Sequence, residues 1–138
     1  MAETIQKGKN ICTFGYGNRT SYSDLEAAIS EYDIHLVVDV RKKPRGWSPL
    51  WSNFGLSKFC DSIGIEYLSK TALGNNSGNS KWLPPNPDEA ESALNDVSIV
   101  SMNYSVLLLC AEKDWRRCHR AAVAERIADK TGNPVVHL

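Results

Sequence analysis

The chain has 138 residues, 42% of them hydrophobic, which fits one domain with a core of ordinary size rather than a multidomain protein. Sixteen basic and sixteen acidic side chains cancel, so no overall field favours nucleic acid or an anionic membrane as a partner. No apolar run approaches the roughly 20 residues of a membrane span, and the first residues lack the apolar core of a signal peptide, so we expect a cytoplasmic protein.

The chain opens with a polar segment over 1–10, which we expect to be flexible. A short apolar run at 11–14 then predicts the first strand. Two glycines after this strand indicate a sharp turn. Ser21 or Ser23 is expected to cap a helix that reaches Tyr32, because the apolar residues that follow have helical spacing.

The next strand is predicted at 34–40, where a nearly continuous apolar run indicates a central, parallel strand. The segment 41–54 holds two prolines, two tryptophans and four basic residues, which predicts a surface loop. A helix is predicted at 56–63 with Gly64 as its C-cap, and a third strand at 65–68.

The segment 69–87 is rich in Asn, Gly, Ser and Pro, which predicts a long loop or lid. A helix is expected to start at Pro87, where proline and the acids after it suit a helix N-terminus. The apolar run at 106–109 predicts a strand that is buried on both faces. Helical spacing from Trp115 onward predicts another helix, with Asp114 as its N-cap.

A last strand is predicted at 135–138, after Gly132 stops the preceding helix. Strands that alternate with helices predict a single α/β domain over 1–138, with three layers and a mainly parallel sheet flanked by helices. In such sheets ligands bind beyond the C-terminal ends of the strands. The polar residues that follow the strand-like runs are therefore candidates for a site.

Short motifs stand at these strand ends and in the adjoining loops: Gly-Tyr-Gly-Asn-Arg at 15–19, Asp-Val-Arg at 39–41 with Pro44, Gly-Ile-Glu-Tyr at 64–67 with Leu73-Gly74, Leu-Cys-Ala-Glu-Lys-Asp at 109–114 and Cys-His-Arg at 118–120. Over almost the whole chain they resemble the family catalogued as domain of unknown function 488. The resemblance implies the α/β fold and a site built from these polar positions, but no established activity. Family members often carry His where this chain has Tyr16, so the resemblance implies no acid–base group there.

Cys110 and Arg116 have the Cys-x5-Arg spacing of cysteine phosphatases, which also resembles the active loop of rhodaneses. This loop has no glycine, however, and it places Glu112 and Asp114 where an anion would sit. We therefore favour Cys110 as a buried structural thiol, and we read all four cysteines as reduced. A cysteine-dependent phosphatase or sulfurtransferase remains the alternative.

Acid–base chemistry at the same strand ends would use a histidine with a carboxylate partner. The candidate catalytic residues are Cys110, Glu112, His119 and Asp39, with His137 as a further histidine. A structural role at the edge of the core is the alternative for His119. No metal is expected, because the spacing of Cys110, Cys118 and His119 matches no common zinc pattern and because adjacent Cys118 and His119 would point to different sides of a helix. The sequence identifies no cofactor.

Arginines at strand ends or at the start of a helix predict a small anionic ligand, phosphate- or nucleotide-like, since their guanidinium forks can bind phosphate or carboxylate. The candidate ligand-binding residues are Gly15, Asn18, Arg19, Arg41 and Arg120, with Arg45 nearby. The glycines would allow the ligand to approach the backbone. Ordinary solvated surface charges are the alternative interpretation.

The basic loop that carries Trp47 and Trp51 suggests a second class of function, a nucleic-acid or protein interaction module. Its tryptophans would then stack on bases, or pack over the sheet edge or in a homodimer interface. The neutral overall charge does not favour nucleic acid. These patterns leave open whether the protein is an enzyme.

Overall fold

A computed structural model describes residues 9–45 and 48–138. These residues form a five-stranded, wholly parallel sheet and four α-helices. The strands are β1 Ile11–Gly15, β2 Ile34–Asp39, β3 Glu66–Ser69, β4 Ser105–Cys110 and β5 Val135–His137. The helices are α1 Ser23–Glu31, α2 Asn53–Ser62, α3 Pro87–Ser101 and α4 Arg120–Thr131. The predicted α/β class and parallel sheet are confirmed.

The sheet carries a hydrophobic core on each face, which makes the fold three-layered. On one face, α1 and α2 pack their apolar residues against the sheet, with Leu25 and Leu56 fully buried. On the other face, α3 and α4 do the same, with Leu94 and Ile127 among the buried residues. Burial on both faces explains why the central strands are nearly continuous apolar runs without alternation.

The strand order is β3-β2-β4-β1-β5, so β4 lies at the centre of the sheet, and all six of its residues are buried. The helices that follow β1 and β2 cover one face, whereas the helix that follows β4 covers the other. After β1 and β2 the chain therefore passes to one face of the sheet, and after β4 it passes to the other face. Such a switch point opens a crevice where ligands commonly bind in α/β folds.

Two predicted helix starts differ from the structure. Tyr22 is the N-cap of α1 and offers no side-chain hydrogen bond, so the predicted serine cap is wrong. The second helix, α2, begins at Asn53 rather than at residue 56, because the Ser52 hydroxyl accepts a hydrogen bond from Gly55 N and caps it earlier. α3 begins at Pro87, as predicted, and extends to Ser101.

The segment from Trp115 to His119 also differs from the prediction of a continuous helix. Asp114 does act as a cap, but of a short 3₁₀ turn, Trp115–Arg117, where its carboxylate accepts from Arg116 N at 3.0 Å. Cys118 is then extended, with φ −124° and ψ 141°. α4 begins only at Arg120. This break changes where the side chains of Cys118 and His119 point.

The predicted long loop over 69–87 has little regular structure apart from a 3₁₀ turn, Thr71–Leu73. It is anchored by Trp82, whose indole N–H donates to Gly74 O at 2.9 Å. Asn76 accepts a hydrogen bond of 2.7 Å from the Lys42 ammonium, which ties this loop to the one after β2. Its role as a lid stays a prediction. Among the described residues, no helix has the length and apolar character needed to cross a membrane.

Candidate functional site

A pocket of about 360 Å³ lies at the C-terminal ends of β1, β2 and β4. Its walls combine basic side chains, asparagines, two thiols and one carboxylate. The lining residues are Tyr16, Arg41, Lys42, Lys43, Arg45, Asn75, Gly78, Asn79, Cys110, Ala111, Glu112, Arg117, Cys118 and His119. The loops after β2 and β4 supply most of them, as expected for a site at a switch point.

The backbone after β4 is fixed by hydrogen bonds that continue the sheet beyond the ends of the strands. Tyr16 N donates to Cys110 O at 3.1 Å, and Gly17 N donates to Ala111 O at 2.8 Å. A Cβ at Gly15 would lie 1.8 Å from the carbonyl oxygen of Glu112, closer than any real contact. Gly15 therefore serves the close approach of the chain's own backbone, rather than that of a ligand.

Arg120 supports the same loop from beneath. Its side chain is fully buried, and its guanidinium donates to the carbonyl oxygens of Glu112 and Lys113. The Nε atom of Arg120 has no hydrogen-bond partner among the described residues. Within the described part of the chain the guanidinium donates only to carbonyl oxygens and forms no ion pair, so its positive charge lies uncompensated beside Cys118.

Arg41 lies in the pocket wall and is held from below by Asp39, which is fully buried. Two parallel hydrogen bonds, of 2.8 and 2.6 Å, join the guanidinium to the carboxylate, and Tyr16 Oη accepts a third at 3.0 Å. Tyr67 Oη donates at 2.5 Å to Asp39 Oδ2, the oxygen that also accepts the 2.6 Å hydrogen bond from Arg41. Burial, followed by the hydrogen bond to Asp39, raises the pKa of Tyr67, which keeps this phenol neutral. Arg41 is thus rigidly oriented.

The thiols of Cys110 and Cys118 meet His119 at the base of the pocket. One ligand atom from each of the three residues lies within 4.8 Å of the other two, and each residue is at most 8% exposed. His119 Nε2 lies 2.9 Å from Val40 O and 3.0 Å from Leu73 O. Since a carbonyl oxygen only accepts, Nε2 carries the proton, and in the neutral ring Nδ1 presents a lone pair 3.9 Å from Cys118 Sγ.

The two thiols at the base of the pocket differ in acidity. The hydrogen bond from the Cys110 thiol, followed by that from Arg120 N, lowers the pKa of Cys118 despite its burial. The same thiol pair and burial raise the pKa of Cys110. Elsewhere, burial raises the pKa of Cys12 and of Cys60 to about 12. Cys118 is therefore the more acidic thiol of the pair.

The predicted catalytic residues gather in one place. Cys110, Glu112 and His119 line the pocket, and Asp39 lies directly beneath Arg41. Glu112 is exposed, and its carboxylate accepts from Asp114 N at 3.0 Å. Their catalytic roles remain predictions.

The predicted ligand-binding residues separate into two groups. Arg41 lines the pocket, whereas Gly15, Asn18, Arg19 and Arg120 do not. The Arg19 guanidinium donates to Gly15 O at 2.6 Å, pairs with Asp24 at 2.8 Å and covers the ring of Phe14. Arg19 and Arg120 therefore hold backbone in place, rather than converging with Arg41 on one crevice.

The structure also shows where the residues of the alternative interpretations lie. The Cys-x5-Arg signature does not form, because Arg116 is exposed, pairs with Asp114 and does not line the pocket of Cys110. Trp51 is buried and stacks on Tyr16 at 4.7 Å, so its ring is not free to stack on a base; Trp47 lies outside the described residues. His137 stacks on Trp115, away from the pocket.

The pocket also contains residues that the sequence does not predict as part of a site, among them Cys118, Lys42, Lys43 and Arg117. In a continuous helix, as predicted from the sequence, the side chains of Cys118 and His119 would point to different sides. In the structure Cys118 is extended and His119 is the N-cap of α4, so the side chains of both reach Cys110. One of the two reasons for expecting no metal, the separation of Cys118 and His119 on a helix, therefore does not apply to the observed fold. The two lysines could have been predicted from the sequence, since they lie in the most basic stretch of the chain.

Comparison with known proteins identifies one family. The family described as domain of unknown function DUF488 matches residues 22–127. Searches of curated proteins and of solved structures gave no match. The matched range covers α1 through most of α4, and with them every strand-end loop of the pocket except the one after β1.

Proposed function

The chain belongs to the DUF488 family, and we propose that it binds a small anionic compound, phosphate- or nucleotide-like, in the pocket at the C-terminal end of β4. One observation carries this proposal, the charge of the pocket wall. Five basic side chains line the pocket, against one acidic side chain, Glu112. In a chain with no net charge, such a local excess concentrates anions at one place on the surface.

The basic residues divide into a fixed group and an adjustable group. Arg41 is fixed by Asp39 and Tyr16, which use three of the five N–H donors that a guanidinium offers. Lys43, Arg45 and Arg117 are exposed, and within the described part of the chain they form no ion pair with a carboxylate. Their charges are available to a ligand, and Arg41 offers that ligand a hydrogen-bond donor in a rigid position.

The size of the pocket agrees with a small molecule. A volume of about 360 Å³ lies near the lower end of the range of roughly 300–1,000 Å³ that ligand pockets occupy. An inorganic oxyanion would fill part of it, and a compound of mononucleotide size would fill most of it. Asn75 and Asn79 supply neutral hydrogen-bonding groups beside the cations, as a phosphate ester with a polar substituent would require.

Thermal unfolding in the presence of phosphate, sulfate and mononucleotides tests the proposal. We expect at least one of these anions to stabilise the protein, by about 2.7 kcal/mol when its concentration is 100 times its dissociation constant. The double substitution Arg45→Ala with Arg117→Ala should remove most of this stabilisation, because charge-assisted hydrogen bonds are worth about 1.5–3 kcal/mol each.

Lys58→Ala is the matched control, since Lys58 is an exposed cation on α2 that does not line this pocket. It should leave the response to the anion unchanged. The proposal fails if no anion in the screen stabilises the parent protein. It also fails if the double variant responds as the parent does.

A further inference from the structure

We propose that Cys110, Cys118 and His119 form a binding site for a thiophilic metal ion such as Zn²⁺, with one coordination position open to the pocket. The two sulfur atoms and one ring nitrogen lie within 4.8 Å of one another, and all three residues are buried. The site uses atoms at the base of the pocket, so it does not depend on the anion binding proposed above.

The spacing of the donor atoms agrees with tetrahedral coordination. Zinc bonds of about 2.3 Å to sulfur and about 2.0 Å to nitrogen place neighbouring ligand atoms roughly 3.5–3.8 Å apart. Cys118 Sγ and His119 Nδ1 are 3.9 Å apart, close to that value. Small side-chain rotations are therefore sufficient to bring the three donors around one ion.

The surroundings of His119 fix the ring in the form that a metal requires. A ligating histidine nearly always donates its other N–H to a carbonyl or carboxylate, which sets the tautomer. Here Nε2–H is directed at Val40 O and Leu73 O, at 2.9 and 3.0 Å. Both acceptors are backbone atoms, so the lone pair of the neutral ring is on Nδ1, 3.9 Å from Cys118 Sγ, before any ion arrives.

The surroundings of the two sulfur atoms differ, because a backbone N–H group lies beside Cys118, whereas the ion itself must displace the proton of Cys110. Arg120 N donates to Cys118 Sγ at 3.5 Å. The buried guanidinium of Arg120, whose Nε lacks a partner among the described residues, adds positive charge beside them. Binding of Zn²⁺ would convert both thiols to thiolates and release two protons to solvent, so the ion and its three protein ligands together carry no net charge.

The donor set also indicates the kind of metal and the kind of site. Two thiolates and one imidazole suit Zn²⁺ rather than Mg²⁺ or Ca²⁺, which prefer oxygen ligands. Three protein ligands leave the fourth tetrahedral position free for water or another small ligand. All three residues line the pocket, so this fourth position faces the space enclosed by the basic side chains.

Cobalt(II) titration of the reduced, chelator-treated protein tests the proposal, because Co²⁺ occupies zinc sites and reports thiolate ligation by a near-ultraviolet charge-transfer band. We expect one Co²⁺ per chain, displaced by one equivalent of Zn²⁺. Cys110→Ser, Cys118→Ser and His119→Gln should each weaken binding by about 100-fold or more, because even residues outside the first coordination shell are worth about 10–100-fold.

Cys60→Ala is the matched control, because Cys60 is a buried thiol on α2 outside the cluster. It should retain the cobalt spectrum with unchanged affinity. If the cluster variants do not fold, X-ray absorption of the zinc-loaded parent protein decides the question without them. It should show two sulfur ligands at about 2.3 Å and nitrogen or oxygen at about 2.0 Å.

The proposal fails if the cobalt spectrum lacks the thiolate band, if the zinc shell contains no sulfur, or if the Cys60 variant loses the signal as the cluster variants do. It also fails if the reduced protein takes up no metal and forms a reversible Cys110–Cys118 disulfide on oxidation. That result would identify the two thiols as a redox couple. Loss of anion stabilisation with an intact cobalt spectrum would reject the proposed function alone.

Discussion

At the scale of single residues, the buried Asp39 carboxylate organises the wall of the pocket. It accepts hydrogen bonds from Arg41 and Tyr67 while remaining fully inaccessible to solvent. The pair brings a charge into the pocket wall without leaving it uncompensated, since the carboxylate and the guanidinium neutralise each other. Such a buried pair is costly to break, because the remaining partner is left as an unpaired buried charge.

Asp39→Asn should therefore destabilise the protein by about 3–5 kcal/mol, because Arg41 would keep its charge but lose its partner. Urea unfolding followed by circular dichroism measures this change. Asp24→Asn is the control, since it breaks an ion pair with Arg19 in which Asp24 is 67% exposed. The control should cost at most about 1 kcal/mol. An equal loss of unfolding free energy in the two variants would show that the Asp39–Arg41 pair stabilises the protein no more than an exposed ion pair does.

At the scale of elements, the loop after β4 depends on its contact with the loop after β1. Gly15 permits the backbone of Glu112 to approach, and Gly17 N and the Arg120 guanidinium bind the carbonyl oxygens of the same loop. Cys110 precedes this loop and Cys118 follows it, so its position sets the distance between the two thiols. The Gly-Tyr-Gly-Asn-Arg motif at 15–19 thus supports the backbone that forms the pocket.

Gly15→Ala should displace this loop, because its Cβ would overlap the carbonyl oxygen of Glu112. We expect a loss of about 3 kcal/mol in the free energy of unfolding, the upper end for forcing atoms into a packed region. Gly64→Ala provides the comparison. No atom lies within 4 Å of its added Cβ, so it bears only the cost of its φ of +77°, about 1–2 kcal/mol. A Gly15 variant that is no less stable than the Gly64 variant would refute the close packing of the two loops.

At the scale of the whole molecule, the strand order determines which loops meet. β4 enters the sheet between β2 and β1, although it comes after β3 along the chain. The loops after β1, β2 and β4 therefore surround one point, even though Tyr16, Arg41 and Cys110 are far apart in sequence. The site belongs to the most buried part of the sheet, which gives its supporting backbone a rigid foundation.

Hydrogen exchange should follow this arrangement. Amides of β4, which is buried throughout, should exchange only through global unfolding, whereas those of β3, an edge strand that is largely exposed, should exchange through local opening. Nuclear magnetic resonance or mass spectrometry can measure both sets. Protection of β3 equal to that of β4 would contradict the picture of a stable centre with a loosely held edge.

The sequence by itself determined the fold class, because buried parallel strands are apolar on both faces and this leaves short, unbroken hydrophobic runs. It also located the candidate positions Cys110, Glu112, His119 and Arg41, since polar residues at the ends of such runs fall at one edge of the sheet. Both predictions depend on local periodicity, which can be recognised in a single sequence.

The tertiary structure decided which side chains face the pocket. Arg19 and Arg120 bind backbone carbonyl oxygens instead of lining it, and no pattern of spacing distinguishes a buried arginine from an exposed one. The short 3₁₀ turn after Asp114 decided that Cys118 and His119 join Cys110, because a helix that began five residues earlier would have separated them. Side-chain direction depends on backbone angles at single residues and on long-range contacts, and hydrophobic periodicity encodes neither.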